Sequence, residues 1–212
     1  MVQALSDANG ADWSALNIRG LVRHLPLRLK LQQPLDDAEL YEFCRVNREL
    51  RIERTRAGEL VIMSPTGSET GRRNFNLIAQ LGAWAARDGT GVGFDSSTGF
   101  ILPNGAERSP DAAWVRRETW DRLSVAERSK FARLCPDFVV ELRSPSDTLG
   151  DLHEKLEEYV ECGARLGWLI DPEARCVWVY RPGTPAAEIQ SPTRISADPE
   201  LPGFELECEP IW

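Results

Sequence analysis

The pattern of apolar and polar positions in the first half of the chain predicts both strands and helices. Residues 25–32, LPLRLKLQ, alternate leucine with polar residues, as a half-exposed strand does. Residues 36–47 and 68–87 instead repeat apolar side chains at helical spacing. Between these two segments, ELRIERT and GELVIMS predict a hairpin with Gly58 at its turn. Residues 1–24 lack a clear period, and we expect a loose arm there.

The second half continues this mixture of elements. Strands are predicted within GTGVGFDSSTGFILPNG, DAAWVRR, DFVVELR, LGWLI, CVWVYR and GFELECEPIW. The segment LGDLHEKLEEYVECG predicts a helix that ends at Gly163. The economical interpretation is one α+β (α/β) domain, with a central mixed β-sheet flanked by helices.

Composition narrows the class of protein. The 212 residues are enough for one large domain, and no apolar run approaches the roughly 18 residues that span a bilayer. We expect no membrane partner, and no secretory signal in the acidic amino terminus. Five cysteines without a CxxC pair predict reduced thiols and a cytoplasmic location. The net charge of −8 is unlike that of many DNA-binding domains, although arginines cluster locally.

One acidic residue interrupts the most apolar strand. In PDFVVELRSPSD, residues 136–147, Glu141 directly follows three apolar residues. A buried carboxylate is costly unless it is paired, protonated or bound to a metal. Alternation along the strand puts Glu141 and Arg143 on the same face. A cation-binding carboxylate beside a fixed positive charge suits the chemistry of phosphate esters.

A divalent metal needs a second carboxylate, and two Pro-Asp pairs offer one. Asp137 lies four residues before Glu141 on the same strand, about 13 Å away at the rise of a strand. Metal–oxygen bonds of about 2.0 to 2.6 Å cannot bridge that distance. Asp111 begins a different strand, and lateral pairing would bring it within about 4.8 Å. We therefore favour Asp111.

Two further charged side chains have both a structural and a functional interpretation. Glu69 starts the long helix, where it favours the helix dipole or adds an acid to the site. Asp151, Lys155 and Tyr159 are spaced at i, i+4 and i+8, so they share one edge of the helix that follows Glu141. Lys155 would either extend outward to solvent or reach the site.

The order of these segments resembles the Uma-type restriction endonuclease family, long filed as a domain of unknown function and placed in the PD-(D/E)XK nuclease superfamily. The resemblance runs from RIERTRAGELVIMSPTGSETGRRN through SPDAAWV, CPDFVVELRSPSD, DLHEKLEEY and GWLIDPEARCVWVYRPG to LPGFELECEPIW. It implies a restriction-endonuclease-like domain over residues 35–212, preceded by an N-terminal arm and strand at 1–34.

The resemblance also implies roles for individual residues. Asp111 corresponds to the aspartate of the PD motif, and Glu141 to the acid of (D/E)XK. Arg143 stands where the motif has lysine, and because arginine stays protonated it could not act as a general base. Lys155, on the following helix, would replace that lysine. Glu69 matches an acid on the first core helix of many such nucleases.

The activity implied is that of a metal-dependent DNA endonuclease that hydrolyses phosphodiester bonds. Asp111, Glu141 and the backbone carbonyl of Leu142 would hold Mg²⁺ or Mn²⁺, which would lower the pKa of a bound water. Lys155 or Arg143 would orient that water and the phosphate. One alternative is a catalytically inactive nuclease-fold module that binds DNA or protein, favoured by Arg143 and the acidic net charge. Another makes Glu141 and Arg143 a structural ion pair.

DNA is the expected partner, together with a second copy of the chain. Cutting both strands of a duplex favours a homodimer. Tryptophans such as Trp114, Trp120 and Trp212 would serve its interface, although core packing explains them equally well.

Overall fold

The computed structural model of the protein describes residues 26–63 and 65–212, so the predicted arm lies outside the described residues. The helices in this part of the chain are α1 (Asp37–Val46), α2 (Ser68–Asp88), α3 (Arg117–Asp121), α4 (Val125–Arg128) and α5 (Leu149–Glu161). The strands are β1 (Leu27–Leu29), β2 (Arg51–Arg54), β3 (Leu60–Met63), β4 (Gly91–Asp95), β5 (Phe100–Ile101), β6 (Glu107–Arg108), β7 (Ala112–Arg116), β8 (Phe138–Leu142), β9 (Leu166–Asp171), β10 (Cys176–Tyr180), β11 (Ala187–Gln190), β12 (Arg194–Ser196) and β13 (Glu205–Glu207).

The chain divides into two compact units, and the first runs to Pro65 and adds Pro103–Arg108. Its strands lie in the order β1, β3, β2, β6, with β2 and β3 forming the predicted hairpin. Gly58 sits in the hairpin turn with a φ of 81°, a left-handed conformation that glycine adopts without strain. Helix α1 begins at a capping box, in which Asp36 and Glu39 each accept a backbone N–H from the other.

The second unit comprises Thr66–Leu102 and Ser109–Trp212, and it is built on a six-stranded sheet. The strand order is β11, β10, β9, β8, β7, β4. Strands β8 and β9 are parallel, and the other neighbours are antiparallel. This mixed sheet, flanked by helices, confirms the predicted fold class.

Each face of this sheet is covered by a different element. Helix α2 and the small β12–β13 sheet pack on one face, where Trp168 stacks on Phe204 with ring centroids 5.8 Å apart. Helix α5 packs on the other face, and its close approach requires Gly167. A Cβ at that position would lie 2.7 Å from Leu156 Cδ1 of α5.

The prediction from the sequence was incomplete in the carboxy-terminal region and left two interpretations open for the tryptophans. Strands β11 and β12 were not predicted, because neither segment carries a long apolar alternation. Trp114, for which an interface and core packing were both open, is only 2 % exposed and packs in the core against Trp84. Trp120 is half-buried, with its ring 5.1 Å from that of Phe94. Core packing is therefore the correct interpretation for Trp114.

The cysteines are all free, as their spacing predicts. Burial raises the pKa of the Cys44 and Cys135 thiols to about 12, so both stay protonated near neutral pH. Among the described residues, none of the helices combines the length and the apolar character needed to cross a bilayer.

Candidate functional site

The Glu141 carboxylate lies in the middle of the second unit's sheet. Strand β8 is buried along its whole length, because it is flanked by β7 and β9 and covered on both faces. Glu141 is only 2 % exposed. Val140 and Leu142 point to the face of the sheet that packs against α2. Glu141 lies between them in the strand and so points to the opposite face. Glu141 therefore points to the side of the sheet that α5 covers.

Helix α5 supplies two polar partners for Glu141. Lys155 Nζ lies 2.9 Å from Glu141 Oε1, and the Tyr159 hydroxyl donates to the same oxygen at 3.0 Å. Both side chains reach one carboxylate because residues four apart share a helix edge. Of the two alternatives for Lys155, the inward one is observed, since its side chain is 11 % exposed. The N-cap of the helix is Thr148, whose hydroxyl accepts the Asp151 N–H.

Asp111 approaches Glu141 from the neighbouring strand. It directly precedes β7. Because Ala112 of β7 pairs with Val140 of β8 in an antiparallel register, the next pair along the two strands is Asp111 and Glu141. Asp111 is 5 % exposed, and its Oδ2 accepts the Leu142 N–H at 2.8 Å. That nitrogen is two covalent bonds from Glu141 Cα, so Asp111 Oδ2 lies within about 6 Å of Glu141 Cα. The predicted lateral pairing of the two strands is confirmed.

The second Asp111 oxygen is held from helix α2. Asn74 Nδ2 donates to Asp111 Oδ1 at 3.3 Å. Hydrogen bonds to both oxygens fix the plane of the carboxylate, because each oxygen has its own donor. Asp111 is thus oriented by one backbone group and one side-chain amide.

Arg143 has a different partner from Glu141. Its NH1 lies 2.5 Å from Asp171 Oδ2, at the end of β9, and its backbone N–H donates to Ile170. Asp171 is buried and also accepts the N–H groups of Glu173 and Ala174, which form the turn to β10. The guanidinium at the motif's lysine position is therefore part of an ion pair that anchors this turn.

Glu69 is a surface residue in the first turn of α2. Its side chain is 59 % exposed and pairs with Arg72 at 2.8 Å and with Arg73 at 3.4 Å. The hydrogen bond from Arg72 holds the pKa of Glu69 below its usual value. Arg72 in turn donates to the backbone carbonyls of Pro210 and Trp212. These contacts favour the structural interpretation of Glu69 at the start of the helix.

Two of the site's neighbours were missed by the sequence prediction. Asp171 ends an otherwise apolar strand, and nothing in the sequence pairs it with Arg143. Asn74 did leave a signal, because Thr70, Asn74 and Leu77 share the face of α2 that packs on the sheet. A polar residue on the apolar stripe of a helix must find a polar partner, and here that partner is Asp111.

Asp111 and Glu141 themselves are the kind of ligand that a hard divalent cation prefers. Mg²⁺ binds through one or two carboxylates and keeps several waters or substrate oxygens. Within the described residues there is no group of three or more His, Cys, Asp or Glu side chains arranged for a metal. A cation held here would therefore depend on these two carboxylates together with neutral oxygen donors.

Comparison with known proteins gives the arrangement a context. The Uma2 family model, described as "Putative restriction endonuclease", matches residues 37–209. The chain belongs to this family. The resemblance inferred from the sequence motifs is thereby confirmed. None of the curated proteins matches the chain.

A solved structure from Anabaena variabilis has a similar fold. It is described as a putative nuclease belonging to DUF820, a domain-of-unknown-function family. The two chains are 17 % identical with a TM-score of 0.64, over 76 % of this chain and 88 % of the other. At this identity the likeness concerns the fold alone.

Proposed function

We propose that this member of the Uma2 family is a metal-dependent DNA endonuclease that hydrolyses phosphodiester bonds. The observations that carry the proposal are two contacts on β8: Asp111 accepts the N–H of Leu142, the residue after Glu141, and Lys155 pairs with Glu141. Two acids and a lysine in this relation are the polar groups that hydrolysis of a phosphodiester requires. The family description supports the same class of reaction.

Each residue has a role in this proposal that follows from its contacts. Asp111 and Glu141, with the backbone carbonyl of Leu142, are the proposed ligands of Mg²⁺ or Mn²⁺. When bound, the cation supplies charge neutralisation at the scissile phosphate and a lower pKa for an attacking water. Tyr159 holds Glu141 Oε1 in place, and the Lys155 ammonium is the proposed group that orients water or phosphate.

Arg143 and Glu69 have secondary roles in the proposed reaction. Arg143 keeps a permanent positive charge near the strand end, but Asp171 holds one of its nitrogens. Its proposed role is to attract and orient the phosphate rather than to move a proton. Glu69 stays a prediction as an additional acid, and its pairing with surface arginines favours the structural alternative.

The second candidate function is a nuclease-fold module that binds DNA or protein without cutting. The observation that favours it is the pairing of Lys155 with Glu141, since an ammonium can balance this carboxylate without any cation. The acidic net charge of −8 points the same way. The two candidates differ in whether Asp111 and Glu141 matter for a reaction or only for stability.

Plasmid nicking separates these candidates. The purified chain is incubated with supercoiled plasmid and Mg²⁺ or Mn²⁺, beside Asp111→Ala and Glu141→Ala. Nicking that disappears in both variants supports the endonuclease. Absence of nicking, with DNA binding that survives both changes, supports the binding module. Calorimetry with Mn²⁺ on the same three proteins tests cation binding directly. If the chain is only a binding module, the wild type should give no more binding heat than the two variants.

Assembly and location complete the proposal. One site of this kind cuts one strand, so cleavage of a duplex favours a homodimer, which sedimentation equilibrium would detect. The free cysteines favour a reducing compartment such as the cytoplasm. DNA is the proposed substrate, and mapping of the cleavage sites would identify the DNA sequence that is cut.

A further inference from the structure

We propose that Asn74 supplies a further side-chain oxygen to the cation site, so that the site draws on helix α2 as well as on β7 and β8. The inference rests on the cation site of the proposed function and adds a residue that the PD-(D/E)XK motif does not contain. It starts from the two ends of the Asn74 amide, which have different surroundings.

One end of the Asn74 amide has a clear partner. Nδ2 donates to Asp111 Oδ1 at 3.3 Å, and this contact fixes which end faces the carboxylate. Two acceptors would repel each other there, so the amino group is the end that faces Asp111. Asn74 therefore orients the acid that we assign to the cation.

The other end of the amide is a buried acceptor. Asn74 Oδ1 is shielded from solvent and receives no hydrogen bond from any described residue. Buried acceptors in native proteins nearly always have a donor or a cation beside them, because an unmade bond costs the desolvation of the oxygen. The oxygen belongs to the same amide as Nδ2, so it lies beside Asp111.

The chemistry of the oxygen matches the chemistry of the site. Mg²⁺ and Mn²⁺ favour carboxylate, carbonyl and water oxygens. Asp111 and Glu141 give two carboxylates, which is fewer than the three acidic or imidazole groups of a fully protein-built site. A neutral amide oxygen adds a donor without adding negative charge to an already acidic pocket. Directly or through one water, Asn74 would complete this set.

Titration of the metal-free protein with MnCl₂ tests the inference without relying on cleavage. Asn74→Ala is expected to weaken Mn²⁺ binding by about tenfold, as loss of a supporting oxygen does at metal sites. Asn74→Asp is expected to tighten binding by about tenfold, because a charged oxygen replaces a neutral one. Without metal, Asn74→Asp should melt at a lower temperature, since two carboxylates then face each other.

The matched control is Asn76→Asp. Asn76 lies on the same helix two residues away and donates to the carbonyls of Arg72 and Pro210, so this variant adds the same charge at a different contact. If Asn76→Asp raises the affinity for Mn²⁺ as much as Asn74→Asp does, the inference is overturned. It is also overturned if Asn74→Ala leaves the affinity for Mn²⁺ unchanged. If Asn74→Ala does not fold, the two aspartate variants decide.

Failure of this inference is distinguishable from failure of the proposed function. Wild-type protein that binds Mn²⁺ but does not nick plasmid overturns the endonuclease, while the Asn74 variants still decide the role of the amide. Wild-type protein that binds no Mn²⁺ overturns both. Normal binding and cleavage in both Asn74 variants overturns the inference alone.

Discussion

The two Pro-Asp pairs of the chain occupy equivalent positions at opposite ends of the same two strands. Asp111 precedes β7 and accepts the N–H of Leu142, the last residue of β8. Asp137 precedes β8 and accepts the N–H of Arg116, the last residue of β7, at 2.9 Å. The Pro-Asp pair and the type of backbone contact are the same. The second oxygen differs, because Asp137 receives the Arg116 guanidinium at 2.7 Å and Asp111 receives the Asn74 amide.

This difference explains how one motif can serve two purposes. A guanidinium cancels the charge of the carboxylate it binds, and it never gives up its proton. Asp137 is thereby a structural residue that joins two strand ends. At Asp111, beside the backbone N–H, a side-chain amide stands where Asp137 has the guanidinium, which suits the cation ligand that we propose. Tertiary neighbours, rather than the Pro-Asp pair, distinguish the two.

The largest expected effect comes from making the same change in both aspartates. We expect Asp111→Asn to lower the rate of plasmid nicking by at least about 1,000-fold, since several kcal/mol of charge stabilisation are lost. Asp137→Asn should keep a near-normal rate and lower the free energy of unfolding by about 1 to 2 kcal/mol, because Arg116 is half-exposed. Initial nicking rates and urea unfolding of both variants measure the two effects. If both variants lose the same fraction of the nicking rate, Asp111 and Asp137 do not differ in function.

The next effect concerns the buried ion pair beside Asp111. Lys155→Met leaves Glu141 with a buried charge, and we expect a loss of about 3 kcal/mol in the free energy of unfolding. Mn²⁺ should restore part of this stability, because a cation can take the place of the ammonium. Urea unfolding with and without Mn²⁺ measures both.

The control for this prediction is the double variant Lys155→Met with Glu141→Gln. Removing the carboxylate charge should recover most of the stability and abolish the response to Mn²⁺. A response to Mn²⁺ that persists in the double variant would place the cation elsewhere.

The smallest expected effect is that of Glu69→Gln. Glu69 is exposed and pairs with surface arginines, so we expect the rate of plasmid nicking to stay within about twofold of wild type. Its pKa is lowered in the folded state, so its contribution to stability is present above its unfolded pKa and is lost as the pH falls through the folded value. Any stability difference from wild type should therefore shrink on acidification. A loss of cleavage comparable to that of Asp111→Asn would instead assign Glu69 to the site.

Much of this arrangement was predictable, because its strongest signals are local. Apolar periodicity predicted α2, β8 and α5, and the reach of a metal–oxygen bond favoured Asp111 over Asp137. The spacing of Lys155 and Tyr159 predicted their common edge. Contacts between distant segments were not predictable: Arg143 pairs with Asp171, and Asn74 reaches Asp111 from another helix. No local pattern records which of several compatible polar partners will meet.

The sequence by itself determined the long helices and the buried strands, since periodicity and caps act within a few residues, and it determined the family to which the chain belongs. Only the tertiary structure decided that Lys155 turns inward and that Arg143 turns to Asp171. The physical reason is that burying a charge requires a partner, and which partner is within reach depends on how the strands and helices pack.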